Sequence, residues 1–238
     1  MKLLGILLLG LSCLAIAAAP KDTTALDSLH GNLVLRATQS PYLVKHSLVQ
    51  REQDSLRIEP GVQILVGSYA KITLHGYVRI EGTTRKPVRI EAIDSSSDWI
   101  GLSLATGEHV ALIQGLIVRQ AFRNAFSGVQ GAILQSRFED NYYGAWVEDS
   151  PSLSFANCTW GGNRYGLSIM DDSLNVSAST LQGNVVGLWL EGSSGLRGTK
   201  NRIEKNQQAD TSGPQDPKRN TASGHYPLKA LQAAEAGF

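Results

Sequence analysis

Asp171-Asp172, with Asp149 at the matching corner one repeat earlier, is the candidate grouping for acid–base chemistry in this chain. Two carboxyl groups on opposite sides of a glycosidic bond, one acid and one base, hydrolyse it. A base beside Ca²⁺ held by several acidic oxygens instead cleaves a uronate chain by elimination. Neither set is complete: no Lys or Arg faces the Asp cluster recognisably in successive repeats, and adjacent Asp residues are ordinary turn formers. A second grouping occurs twice, as Trp146-x-Glu148 and Trp189-x-Glu191. On a strand, residues two apart share a face, so each indole sits beside a carboxylate. That combination suits a sugar, whose apolar face stacks on the ring while its hydroxyls meet the acid. Two coils separate the Trp residues, about 9–10 Å at strand spacing, on the order of the distance between alternate sugars in an extended glycan. The same pairs also suit cross-strand packing or contact with a protein. The five His are scattered without metal-ligand spacing, so no metal is expected, and no cofactor; Ca²⁺ enters only with a lyase.

These residues lie in a repeat of 21 to 22 residues between Arg137 and Asn206. Its markers are Asn141-Tyr-Tyr-Gly144, Asn163-Arg-Tyr-Gly166 and Asn184-Val-Val-Gly187, with a fourth Asn at Asn206. Three residues before each Asn stand Phe138, Trp160, Leu181 and Ile203. Four and six after the first three stand Ala145 and Val147, Leu167 and Ile169, Leu188 and Leu190, a strand-like period of two. A second alternating pair, Leu153/Phe155 and Leu174/Val176, precedes each Asn. Three short strands per repeat at one fixed period predict a right-handed parallel β-helix, since each coil buries its inward side only against its neighbours. The Asn is expected to bend the chain through a left-handed conformation while its amide bonds the equivalent group one coil away. The Gly allows positive φ or close packing at the corner.

With these repeats the chain resembles the pectin-lyase-like β-helix superfamily. The earlier blocks Ile58-Glu-Pro-Gly-Val62, Gly76-Tyr-Val-Arg-Ile-Glu-Gly-Thr83 and Trp99-Ile-Gly-Leu102 look like the opening coils of exported bacterial β-helix proteins. The resemblance, over residues 32 to 206, implies an architecture and no particular activity. Likeness to polygalacturonases would require Asn-Thr-Asp, Gly-His-Gly and Arg-Ile-Lys beside the Asp pair. Only the Asp pair is present; the nearest strings are Gly224-His-Tyr and Arg202-Ile-Glu. Between Ala105 and Leu134 the alignment pairs Leu112 and Leu116 with Leu134 and Phe138 and puts Arg119 at the marker position. An altered corner loop is expected there.

The 238 residues carry 24 Gly, 18% charged residues and a net charge of +1. No basic stripe exists to track phosphates, so nucleic acid is not an expected partner. Residues 1–19 read as a secretory signal, with an apolar run from Leu3 to Ala17; Cys13 sits inside that run, which argues against a lipid anchor. No span is expected in the mature chain. Cys158 then has no partner for a bridge and matches Ser179 and Asn201 in later coils, a corner residue. The β-helix is assigned to 20–206. Residues 207–238 read as a polar tail in which Leu228 to Ala236 forms two helical turns that cap the last coil or dock a partner. The expectation is an exported, non-enzymatic β-helix of about eight coils that binds polysaccharide or an envelope protein. A carbohydrate-active lyase, hydrolase or epimerase and a purely structural module are the alternatives, and the sequence leaves the oligomeric state open.

Overall fold

A computed structural model describes residues 22–94, 99–170 and 173–213. The described chain winds into three parallel sheets of nine, eight and eight strands, a right-handed β-helix of about eight turns. From Tyr42 to Arg197 each coil visits, in chain order, sheet I (which runs from Thr24–Ala25 to Arg202–Ile203), sheet II (Leu48–Gln50 to Ala209–Ser212) and sheet III (Asn32–Leu35 to Gly195–Arg197). The last sheet II strand pairs with Val186–Glu191, so the stack extends beyond Asn206. The boundary expected at 207 is too early because Ala209–Ser212 carries no apolar alternation; its backbone bonds and partly buried Ala209 and Ser212 hold it in the sheet. The leader expected at 1–19, and the tail beyond 213, lie outside the described residues.

Inside, the period-two residues form columns: Phe126, Val147, Ile169 and Leu190 on sheet II, Phe138, Trp160, Leu181 and Ile203 on sheet I, Ile133, Phe155 and Val176 on sheet III. Phe126, Phe138 and Phe155 meet edge-on with centroids 5.7–6.3 Å apart, and Phe138 stacks on Trp160 at 5.7 Å and 12°. This ring cluster is buried and carries a single polar group, the Trp160 N–H.

The Asn markers form a buried ladder. The side-chain nitrogen of Asn141 donates to Asn163 Oδ1 (3.0 Å), that of Asn163 to Asn184 Oδ1 (2.9 Å), and that of Asn184 to Asn206 Oδ1 (3.0 Å). Each backbone N–H donates to the same oxygen. The left-handed bend belongs to the residue before each Asn: Asp140, Gly162, Gly183 and Lys205 have φ of 57°, 70°, 73° and 60°. Taking the bend one residue early lets the Asn amide lie along the stack axis. The corner Gly residues serve close packing rather than positive φ; a Cβ on Gly144 would lie 2.5 Å from the Gly166 carbonyl oxygen, and one on Gly166 2.6 Å from that of Gly187.

Coil length explains the misaligned stretch. Ala121, not Arg119, occupies the marker position, its N–H donating to Asn141 Oδ1 across 20 residues. Leu112 pairs with Ala132 and Val118 with Phe138, so this coil is one or two residues shorter than its successors and holds no inserted loop. Arg119 instead pairs with Glu139 on the next strand. The long coil lies earlier, where His75 and Ala105 are neighbours 30 residues apart.

Cys158 fills the corner expected of it, 1% exposed, its N–H donating to Ser179 Oγ and its thiol to the Ile133 carbonyl. Burial pushes the thiol up to about 11, so it stays protonated at neutral pH and is not nucleophilic. Native protein at pH 8 is therefore expected to resist a disulfide-exchange reagent that titrates Cys158 fully in denaturant; rapid labelling before unfolding would contradict the buried corner.

Candidate functional site

The outer face of sheet II carries the aromatic residues. Along the strands Arg123–Ser127, Tyr143–Glu148, Tyr165–Met170 and Val186–Glu191, one outward column runs Arg123, Tyr143, Tyr165 and Val186. The next runs Ala125, Trp146, Ser168, Trp189 and, on the last strand, Ser212. A third holds Ser127, Glu148, Met170 and Glu191. Trp146 and Trp189 thus share a face two coils apart in the expected register. Their indole N–H groups donate to Glu148 Oε2 (3.4 Å) and Glu191 Oε2 (3.3 Å), so each Trp and its Glu form a unit within one strand.

Exposure differs between the two units. Trp146 and the Glu residues are half-buried, whereas Trp189 is only 6% exposed; the expectation of two open indoles is corrected for Trp189.

The tyrosines beside them were not among the residues expected from sequence. Tyr143 and Tyr165 stack one coil apart, centroids 5.0 Å and 13° from parallel. Tyr143 meets Trp146 edge-on at 5.1 Å, and Tyr165 meets Trp189 edge-on at 5.6 Å. At the adjoining corner Tyr142 packs against Phe122, Tyr143 and Tyr165. Two guanidinium groups lie on these rings, Arg123 5.2 Å from the Trp146 centroid and Arg164 5.4 Å from that of Tyr142, within cation–π reach. The signal was periodic: Tyr143 and Tyr165 each stand two residues after their marker Asn, and Arg123 two after Ala121.

Burial sets the electrostatics of the face. It pushes the Tyr143 hydroxyl well above the usual phenol range, reinforced by Tyr142 and Tyr165, and raises Tyr142. Arg123 is pulled below the usual guanidinium value chiefly by burial, with Tyr143 and Glu148 opposing, yet stays charged at any working pH. Lys71, two strands away, is lowered first by burial and then by the Arg123 charge. Tyr142 and Tyr143 are therefore neutral rings with hydroxyl donors.

Asp149 is exposed in a left-handed turn with φ of 49°; Asp171 and Asp172 lie outside the described residues. Among the described residues no three His, Cys, Asp or Glu side chains gather to hold a metal ion. A groove of about 370 Å³ lies on sheet III, lined by Arg79, Glu81, Leu112, Gln114 and Leu134, and does not connect with the aromatic columns.

Comparison with known proteins finds one similarity. Residues 98–213, just under half of the chain, match the family described as "Right handed beta helix region". No curated protein and no solved structure matches the chain.

Proposed function

We propose that this β-helix binds a polysaccharide through the outer face of sheet II, and that it does so as an exported protein without transforming the chain it holds. The supporting observation is the Tyr143–Tyr165 stack edge-on to Trp146. It offers adjacent apolar ring surfaces at coil spacing, bordered by Glu148, Glu191 and Arg123, whose groups suit sugar hydroxyls. Rings fixed by one another and by strand register lose little conformational entropy on contact, which favours binding through a shallow surface. Trp146 supplies the open indole, while Trp189, 6% exposed, buttresses Tyr165 edge-on. Export rests on the apolar run from Leu3 to Ala17 with the small residues after it.

The test is a panel of soluble cellulose, xylan, mannan and polygalacturonate chains in affinity electrophoresis and calorimetry. Trp146→Ala is expected to weaken binding about tenfold, the loss of one aromatic contact of about 1.4 kcal/mol. Leu112→Ser on sheet III should leave binding unchanged. Equal affinity in Trp146→Ala and the parent, or no binding to any chain while an envelope protein is captured through the same face, would overturn the reading. Release of new chain ends would replace binding with catalysis.

A further inference from the structure

We infer that the outer face of sheet III joins two copies of this chain into a two-fold dimer, face to face with their stacks antiparallel. Sheet II takes no part, so the dimer stands apart from the binding reading and leaves the affinity of each platform unchanged. Tyr77, Val110, Leu112 and Leu134 are large apolar side chains on this face, 54%, 51%, 47% and 37% exposed. They are contiguous. Val110 and Leu112 share the strand Val110–Gln114, Tyr77 lies beside Val110 on one neighbouring strand, and Leu134 beside Gln114 on the other. An open apolar patch of this kind on a folded chain marks a contact surface.

Toward the C-terminal end the same face carries small groups. Ala132 pairs with Ser154, Leu134 with Ala156, and Ser154 with Asn175. The middle coils therefore form a ridge and the later ones a shelf, and Leu112, Ala132 and Leu134 line one groove. Consider a two-fold axis between the two faces, parallel to the strands and level with the gap between Leu112 and Ala132. It turns the second copy end for end and lays the ridge of each on the shelf of the other. Each Leu112 then lies over the Ala132 of the second copy, Arg79 over Ser154, and Arg57 over Asn175. Large meets small, and each guanidinium meets a hydrogen-bonding side chain. Like charges are not opposed, because Arg57 and Arg79 are balanced within each copy by Glu81, at 2.8 and 2.7 Å, which comes over Ala156. One face carrying both halves of the fit is what a two-fold interface requires and a foreign partner does not. Eight strands at about 4.8 Å, each presenting about 15 Å of its length, make a face on the order of 600 Å². That is the lower end of what each partner buries in a specific complex, so the dissociation constant is expected to be on the order of 10 μM.

Sedimentation equilibrium over a concentration series spanning that value should show monomer–dimer exchange for the parent. Leu112→Asp/Leu134→Asp should dissociate at least about tenfold more readily; both side chains are exposed, so its urea midpoint should match the parent's. The arrangement itself is tested by Arg79→Cys/Ser154→Cys. These positions are three strands apart in one chain, about 14 Å and too far for a disulfide, and they face one another only across the axis. Mild oxidation should give a covalent dimer of the double variant and none of either single variant. A parent that stays monomeric throughout the series overturns the dimer, as does association that Leu112→Asp/Leu134→Asp leaves unchanged, which places the contact elsewhere. Absence of the covalent dimer, with association that still depends on Leu112 and Leu134, overturns the two-fold arrangement.

Discussion

Asn163→Ala is expected to destabilise the protein by about 4 kcal/mol, seen as a lower urea midpoint. Asn163 is 1% exposed and satisfies four groups besides itself: it donates to the Phe138 carbonyl and to Asn184 Oδ1, and accepts from the backbone and side-chain N–H groups of Asn141. Alanine strands the Phe138 carbonyl and the Asn141 backbone N–H in a dry interior, at about 1–3 kcal/mol each, whereas Asn184 Oδ1 keeps the Asn163 backbone N–H and the Asn141 side chain keeps the Val118 and Glu139 carbonyls. The same change at Asn206, on the partly open last coil, should cost about 1 kcal/mol, since water replaces the lost partners there. A loss at Asn163 no larger than at Asn206 would show that the ladder is not a principal source of stability.

The second large effect is expected from Gly131→Ala. Gly131 has φ of 134°, a region that side chains rarely enter, and a Cβ there would lie 1.9 Å from the Ala111 carbonyl oxygen on the adjoining strand. The obstruction is backbone, so no rotamer relieves it, and the two coils must separate. Strain and overpacking together should cost about 4 kcal/mol or more. Gly107→Ala is the control: its φ is also left-handed, at 56°, but nothing lies within 4 Å of the added carbon, so the cost should be about 1 kcal/mol. Similar melting temperatures for the two variants would rule out the close approach at Gly131.

Much of this architecture is legible in the sequence because a solenoid repeats its requirements. Asn163 and Asn184 must recur at coil spacing for their amides to meet, and Phe138, Trp160 and Leu181 must keep step with them to share an inward column. Where coil length changes, the inference fails. Arg119 aligns with Asn141 only if the coil has 22 residues; two fewer move Ala121 into place and leave Arg119 beside Glu139. Spacing also could not say which residue of Asp140-Asn141 takes the left-handed bend, since both types tolerate it.

Outward positions are harder to read, because nothing inside the tube constrains them. The shared column of Trp146 and Trp189 follows from period two, but their unequal burial depends on what lies over the sheet. The Tyr143–Tyr165 stack was hidden in a marker noticed for its Asn and Gly. The strand Ala209–Ser212 was missed for the opposite reason: polar residues join a sheet through backbone bonds that leave no trace in hydrophobic pattern.

The ladder also has a direction. Within the amide row each Asn donates to the Asn of the next coil and accepts from the one before, while the same nitrogen also donates to a carbonyl of the preceding coil, so the row runs one way and ends at Asn206. There Asp210 Oδ1 takes both N–H groups of Asn206, at 3.1 and 2.9 Å, where the next coil's Asn oxygen would stand. A carboxylate completes the series as an anion completes a helix N-terminus, and it has no amide hydrogen to hand on. The row of dipoles is closed by a charge supplied four residues later in the same chain, which stops the series electrostatically at that coil.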